Sequence, residues 1–501
     1  MARVLLLSLL IFNAIKISSQ EITWGELNKS LNENYSPQIL KADSNYIYTL
    51  ASDYTDFYIE KFDINKMTPV YSTKVIKPQE SEIELINLIN DKFIVFYSFY
   101  NENDKTAELR AFAVDAVTGR GIGTAIKLMK LPVENSRRAG EFSAITSQDG
   151  KMILVNHYCY IRNKRIHQNS YVLFNDSLQI VLDKTERIES DELNYKTFNY
   201  QLDNNGSVYF MKASREGLFI ASYDVFNNYE KWEEKIDFSE QHPNTILKSA
   251  YLGFNNDQNL VVTGLYGLTN KNEGLYFLEI DRISKEIMIN RFSEFSDSLS
   301  QTLDFSRPDD PENMNYSNII SINKKDGGMY LFCERYDRRF IAGQYTVNSL
   351  TWFNDVAIFD LTKDGTVLHT YLIPKSQYNK SSVSMLTAAK MLKKCEYLSI
   401  LPWTDDSCLY VAYNDHIENV PYLNRQYLYK RVLIKELKNS VPVIITINKT
   451  TGEIIKNKYT QLQSEEIYFK PQVNYPVPHS RTLFIFAQKG LQYRFGRLTT
   501  E

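Results

Sequence analysis

Leu275–Phe292 reads LYFLEIDRISKEIMINRF and Asp355–Leu372 reads DVAIFDLTKDGTVLHTYL. Each is an apolar alternating strand, then an Asp, a short polar turn and a second strand. Five further segments share the form: YIEKFDINKMTPVYSTKV (58–75), LRAFAVDAVTGRGIGTAIKL (109–128), SYVLFNDSLQIVLDKTER (170–187), FIASYDVFNNYEKWEEKI (219–236) and PVIITINKTTGEIIKNKY (442–459). The residues that open their turns are Asp63, Asp115, Asn175, Asp224, Asp281, Asp360 and Asn448. An Asp or Asn side chain accepts from the backbone two residues on, which makes such turns local and cheap to form. Their recurrence along the whole chain is what carries information.

Upstream of each hairpin lies a second strand pair, such as 84–89 with 92–99 or 199–203 with 207–212, joined by turns such as Gln148-Asp149-Gly150 and Asn204-Asn205-Gly206. Two hairpins make four strands. A four-stranded unit that buries its faces only against its neighbours is a propeller blade. The C-terminus offers three strands, at 468–475, 482–488 and 491–497, without a fourth, and the N-terminal Glu21–Leu27 is expected to supply it. The expected fold is therefore all-β: one β-propeller domain over residues 21–501, of eight blades, or seven if one pair is an insertion. The ring is closed by the N-terminal strand pairing with the C-terminal strands, which removes open edges. Two stretches depart from the repeat. Residues 293–315 are polar and carry Pro308 and Pro311, while 376–395 includes helix-compatible spacing in SVSMLTAAKMLKKC. Long loops on a rigid scaffold are where binding concentrates.

The chain begins with Arg3, the apolar run Val4–Phe12 and then Ser18, Ser19 and Gln20, the layout of a signal peptide over residues 1–20. The run is too short to span a bilayer, which takes roughly 20 apolar residues. Export to the periplasm or beyond the cell is expected, with no transmembrane span in the mature chain. Without Arg3 and Lys16 the 57 basic side chains fall to 55 against 60 acidic ones, which leaves no basic footprint for nucleic acid. Four cysteines, Cys159, Cys333, Cys395 and Cys408, are too few for a disulfide scaffold. Cys395 and Cys408 are close enough in sequence to pair, or to be two separate buried thiols.

Catalytic signatures do not emerge. Sialidase-type turns (S-x-D-x-G-x-T-W) do not occur. Four tryptophans, Trp24, Trp232, Trp352 and Trp403, cannot furnish the docking position of quinone-dependent dehydrogenase blades or a tryptophan-aspartate repeat. There is no G-x-S-x-G elbow and no phosphate-binding G-x-x-x-x-G-K loop, and Gly119, Gly121 and Gly123 fall in a hairpin turn. Asp309, Asp310 and Glu312 cluster but lack a calcium-loop pattern. His157 and His167 flank one hairpin and are expected to be solvated. No cofactor and no metal are expected.

The richest region is Glu334–Arg339 (ERYDRR), where Arg335, Tyr336, Arg338 and Arg339 follow the apolar strand MYLFC, with Trp352 and Asp355 shortly after. Arg and aromatic residues are the types enriched at binding hot spots. They are also ordinary at blade edges, where long side chains lie over apolar surface. The stretches Asn354-Asp355-Val356, FDLTKDGTV, Ile373-Pro374-Lys375-Ser376-Gln377 and Leu409–Asp415 with Asn419 resemble uncharacterised exported bacterial proteins with propeller-like repeats. That resemblance covers 330–420 and implies a periplasmic or secreted setting with no named activity. Val367, Leu368 and His369 stand after Gly365 where such repeats often carry a tryptophan. In outline VTGRGIGTAIKL and TTGEIIKNKY also look like the quinone-dependent dehydrogenase repeat, in shape and not in chemistry. Lys375, Gln377, Asn414 and Asp415 are the polar residues tied to this pattern and are candidates for a surface site, or for side chains that bond loop backbone.

The functional expectation is an exported binding or scaffolding propeller that engages a protein or a glycan. Two alternatives stand beside it: a carbohydrate-active enzyme with two carboxylates scattered among blades, and a cell-envelope assembly or adhesion component with an exposed apolar patch.

Overall fold

The computed structural model describes residues 21–30, 36–53, 56–75, 81–162, 164–189, 196–214, 217–238, 242, 245–268, 271–304, 314–342, 346–384, 397–421, 439–458, 468–477, 480 and 482–499. The repeated turns form as their chemistry dictates. Asp115 Oδ1 accepts from the backbone N–H of Val117 at 3.0 Å and of Thr118 at 2.7 Å. Asp63, Asp281 and Asn448 do the same two and three residues on. These backbone bonds hold the carboxyls of Asp63, Asp115 and Asp281 below the usual range. The sixth turn corrects the sequence reading: Asp360 is a strand residue paired with Lys324 at 3.0 Å, and Thr362 closes the turn by accepting from Thr366 N at 3.0 Å. Asp43, Asp203, Asn255 and Asp405 cap the first-to-second-strand turns by the same device.

The strands assemble into eight antiparallel sheets, one per blade of a propeller ring. Blades 1 to 7 span 36–74, 82–132, 141–189, 196–236, 246–294, 315–384 and 401–458, and blade 8 joins 468–499 to 21–29. Alternation along each strand sends side chains to opposite sheet faces, and here both faces are buried. In blade 2, Phe93 and Val95 pack toward blade 1, while Ile94 and Phe96 pack toward blade 3. Among the described residues eight apolar clusters form, each bridging two successive blades, and the last pair, blades 8 and 1, closes the circle through Phe484, Phe486 and Phe495 against Ile47, Ala51 and Phe62. Each fully buried Val, Leu, Ile or Phe contributes about 1.5–3 kcal/mol, so the seams hold the ring.

The first strand of each blade is innermost. Glu82–Ile89 touches Glu141–Thr146, which touches Lys196–Leu202, whereas fourth strands such as Gly121–Pro132 are largely exposed. Inner strands are bent by bulges at Leu40, at Glu84, at Asn199-Tyr200 and at Ser317. Asn199 and Gln201 use theirs to reach the next blade, donating to Ala250 O at 2.8 Å and Leu252 O at 2.9 Å.

Ring closure follows the expected route. Ile22 pairs with Leu498 and Trp24 with Gly496, and Asn28 then pairs with Tyr493. Gly496 is required by close approach, since a Cβ there would lie 2.6 Å from the Trp24 ring. The innermost C-terminal strand is broken into Tyr468–Phe469 and Tyr475–Pro476 by the 3-10 turn Pro471–Val473. In the polar stretch 293–315, Asp297–Leu303 is an α-helix capped by Ser296, whose hydroxyl accepts from Leu299 N at 3.3 Å, while Pro308–Glu312 lie outside the described residues. The 376–395 stretch begins differently from its helical spacing: 376–384 continue the strand Val367–Ser384, with Ser376 paired to Asn354 and Tyr378 to Trp352. Residues 385–395, with Cys395, lie outside the described residues. Among the described residues no helix is long and apolar enough to cross a membrane.

Candidate functional site

Strand order decides which segments share a face. With antiparallel strands starting at the axis, the first-to-second and third-to-fourth turns fall on one face of the ring. The second-to-third turns and the blade-to-blade connections fall on the other. The connections that exceed ordinary length, 295–314, 385–400 and 417–439, all leave strand ends on that second face, at blades 5, 6 and 7. Blade 6 itself is overlong there: Met329–Ala342, Thr346–Leu361 and Val367–Ser384 run past the blade as a three-stranded extension.

The extension departs from the blade at a line of bulges. Arg335 interrupts the register on one strand, Asp355 on the next, and Pro374-Lys375 on the third. Bulges bend a sheet and re-aim side chains, and these turn a polar set inward at the seam with blade 7. Lys375 and Glu334 form a buried ion pair. Lys375 Nζ also donates to Phe353 O at 3.2 Å and Gln377 Oε1 at 2.9 Å. Glu334 Oε2 accepts from Ser399 Oγ at 2.5 Å and Asn318 Nδ2 at 2.6 Å. Gln377 Nε2 donates to Asn414 O at 2.7 Å, and Asn414 Nδ2 donates to Tyr397 O and Phe469 O, both at 2.9 Å. Burial pushes the Lys375 ammonium down, opposed by the Glu334 carboxylate. A second buried pair, Lys456–Asp415 at 2.6 Å, lies in blade 7, with Asn419 donating to Asp415 at 2.9 Å.

Of the two readings of Lys375, Gln377, Asn414 and Asp415, these contacts fit side chains that bond backbone and not an open surface site. All four are buried, and their polar atoms bond one another and the backbone of neighbouring strands. Arg335 is likewise buried, with Nη2 donating to Met314 O at 3.4 Å. Asp355, half-buried, accepts from Lys375 N at 2.9 Å. They are the rivet of the extension. Ser399, Asn318 and Lys456 belong to the same polar sets and escaped sequence reading, as did the role of Glu334. Glu334 was the visible clue, because it follows the apolar run Met329–Cys333 within its strand.

The remaining candidates sit on the extension. Tyr336 packs on Phe353 with centroids 4.9 Å apart, and Arg338 lies over Phe340 at 5.2 Å while its Nε donates to Ser349 Oγ at 3.0 Å. On the opposite sheet face Trp352 and Tyr378 form a tilted pair at 5.2 Å, beside Asp337, whose carboxylate takes Arg339 Nε at 2.7 Å. Arg339, Phe340, Ile341 and Lys380 are exposed. The structure thus places Tyr336 and Arg338 on one face of the extension and Trp352 and Arg339 on the other, and assigns Arg335, Lys375, Gln377, Asn414 and Asp415 to its base.

The histidines also differ from expectation. His157 and His167 are buried, not solvated: His157 Nε2 lies 2.8 Å from Ala139 O, and His167 Nδ1 lies 2.9 Å from the Tyr158 hydroxyl. Burial lowers the His157 pKa. Among the described residues no three His, Cys, Asp or Glu side chains converge as metal ligands.

Comparison with protein families finds no match, and comparison with curated proteins finds none either. Among solved structures the chain is similar to a europium-containing methanol dehydrogenase, at 9% identity and a TM-score of 0.44 over 95% of this chain and 86% of that one. It is similar to the Dos1 propeller at 10% and 0.43 over 95% and 94%. It is also similar to the polysaccharide lyase Uly1 at 7% and 0.37 over 96% and 100%. Likeness at this level carries nothing about chemistry.

Proposed function

We propose that the chain is an exported binding or scaffolding propeller, working in the periplasm or outside the cell, which presents the blade 6 extension to a partner protein. The observation that supports this most is the concentration of excess structure in one place. Among the described residues the other seven blades have no strand longer than 12 residues, yet blade 6 carries strands of 14, 16 and 18. That added length is riveted by a buried ion pair, which costs desolvation that a plain apolar seam would not. Rigid placement of Arg, Trp and Tyr side chains is what an interaction surface needs.

The test is affinity purification of a tagged copy from its native cell envelope, with partners identified by mass spectrometry. A reproducible partner lost in an Arg338→Ala/Arg339→Ala variant that still folds is the expected result. Partner recovery unaffected by that variant, or no partner above background, overturns the reading.

A further inference from the structure

On the face of the ring that carries the first-to-second and third-to-fourth turns, blades 1 to 7 are bolted to one another by polar contacts. The Tyr71 hydroxyl donates to Ala116 O at 2.9 Å, Asn87 Nδ2 to Gly150 O at 2.8 Å and Asp149 N to Asn204 Oδ1 at 3.0 Å. Arg282 bonds Asp203 at 2.8 Å, Asn256 Nδ2 donates to Lys324 O at 2.6 Å, and Lys325 bonds Asp406 at 2.5 Å. Among the described residues no hydrogen bond or ion pair crosses the seam of blades 8 and 1 at this end, and the seam opens there into a cavity of about 470 Å³.

The opening follows from the sequence. On the blade 8 face turned toward blade 1, one strand reads Phe486, Phe484, Thr482 toward this end, and the strand beside it Phe495, Arg497, Thr499, each residue opposite its counterpart. Aromatic packing therefore stops at Phe484 and a polar set takes over. The cavity floor is apolar, with Phe484 and Ile64 buried and Ala42 and Val477 half-buried. Its walls are polar. Blade 8 supplies the Arg497 guanidinium and the Thr482 and Thr499 hydroxyls, and blade 1 supplies Asp43 and Ser44. Asp43 Oδ1 is committed to its turn, accepting from Asn45 N at 2.7 Å and Tyr46 N at 2.8 Å. Its other carboxylate oxygen and the Arg497 guanidinium have no partner among the described residues, and they do not pair with each other.

We infer that this cavity binds a small zwitterion of the α-amino acid class with an apolar side chain. The ligand carboxylate meets the Arg497 fork, whose parallel N–H groups match two carboxylate oxygens. Its ammonium meets the open oxygen of Asp43, and its side chain lies on Phe484, Ile64 and Val477. An apolar floor with a few convergent polar groups, in a space within roughly 300–1,000 Å³, is the usual make-up of a small-molecule site. Asp43 opposes phosphate or any other dianion, and a neutral ligand leaves both charges unanswered. Arg497 lies beside Thr23 of the N-terminal strand, so a ligand held between Arg497 and Asp43 spans the closing seam and stabilises the closed ring.

Calorimetric titration of the full chain with phenylalanine tests this, with phenethylamine, which lacks the carboxylate, and 3-phenylpropionate, which lacks the ammonium, as controls. Phenylalanine is expected to bind about tenfold or more tightly than either, and at about 100 times its Kd to raise Tm by about 3 °C. Arg497→Gln abolishes the preference over phenethylamine. Asp43→Asn, which keeps the oxygen that caps the turn, abolishes the preference over 3-phenylpropionate. Absence of binding at millimolar phenylalanine or leucine, equal binding of the three compounds, or a preference that survives its variant overturns the inference.

Discussion

Replacing Lys375 with Met removes the ammonium that holds Glu334, Gln377 and the Phe353 carbonyl at the base of the extension. Methionine fills much the same volume, so the cost is electrostatic. Glu334 keeps Ser399 and Asn318 as donors but loses its countercharge while fully buried. Breaking one side of a buried pair costs about 3–5 kcal/mol. At roughly 2.1 cal/mol/K per residue, the roughly 400 described residues give an unfolding entropy of about 0.8 kcal/mol/K, so Tm should fall by about 4–6 °C. Adding Glu334→Gln removes the stranded charge and should recover at least half of that loss. Differential scanning calorimetry at matched scan rates measures both. Hydrogen exchange adds location: protection should drop at 334–342, 347–354 and 375–384 before other blades. A Lys375→Met protein within about 1 kcal/mol of the parent, or a double variant less stable than the single, refutes the assignment of this pair as the rivet.

Other consequences are equally direct. Burial, reinforced by Glu82 and Glu141 and opposed by a Ser98 hydrogen bond, raises the Glu84 carboxyl to about 7. Its folded pKa lies above the unfolded one, so its contribution is complete below about pH 4.5 and is lost as pH rises through about 7; it amounts to on the order of 3 kcal/mol. Glu84→Gln should flatten the stability profile between these pH values in denaturant titrations, and an unchanged slope would discount the burial. Gly365 has φ of +78°, and a Cβ there would stand 2.4 Å from the Phe277 ring, so Gly365→Val should destabilise the blade 5–6 seam by about 2 kcal/mol or more, read as an earlier urea midpoint. Ile22→Ala should cost about 2–5 kcal/mol and expose the Thr482–Lys489 strand to proteolysis first, since Ile22 packs on Leu483, Ile485 and Leu498. Cleavage beginning elsewhere would contradict closure by the N-terminal strand.

The ring was legible because its signals are local. An Asx turn announces itself in sequence, and Asp63, Asp115, Asp224, Asp281 and Asn448 all open turns as read. The missing fourth strand at the C-terminus pointed to Glu21–Leu27 by simple count, and Glu21–Trp24 supplies it. The base of the extension was not legible, because burial of a charge depends on non-local pairing. Glu334, Lys375 and Ser399 are far apart in the chain and meet only when three strands bulge at one level. Polar residue types in that stretch therefore left open a surface site or side chains that bond backbone, and neither reading foresaw a buried ion pair. The turn-closing residue, read as Asp360, lies two residues on at Thr362 for a related reason: Asp360's partner, Lys324, comes from an earlier turn. His157 and His167 lie in strands whose neighbours Ile153, Val155 and Val172 already marked a buried sheet, a signal outweighed by the usual exposure of histidine.

The most direct measurement places a photo-crosslinking amino acid at position 340 or 378 on the blade 6 extension, and at 181 on the outer strand of blade 3, in the native cell envelope. A discrete adduct with another protein is expected from 340 and 378 and none from 181. Adducts of equal yield from all three positions, or none from the extension, would contradict a binding role for the extension.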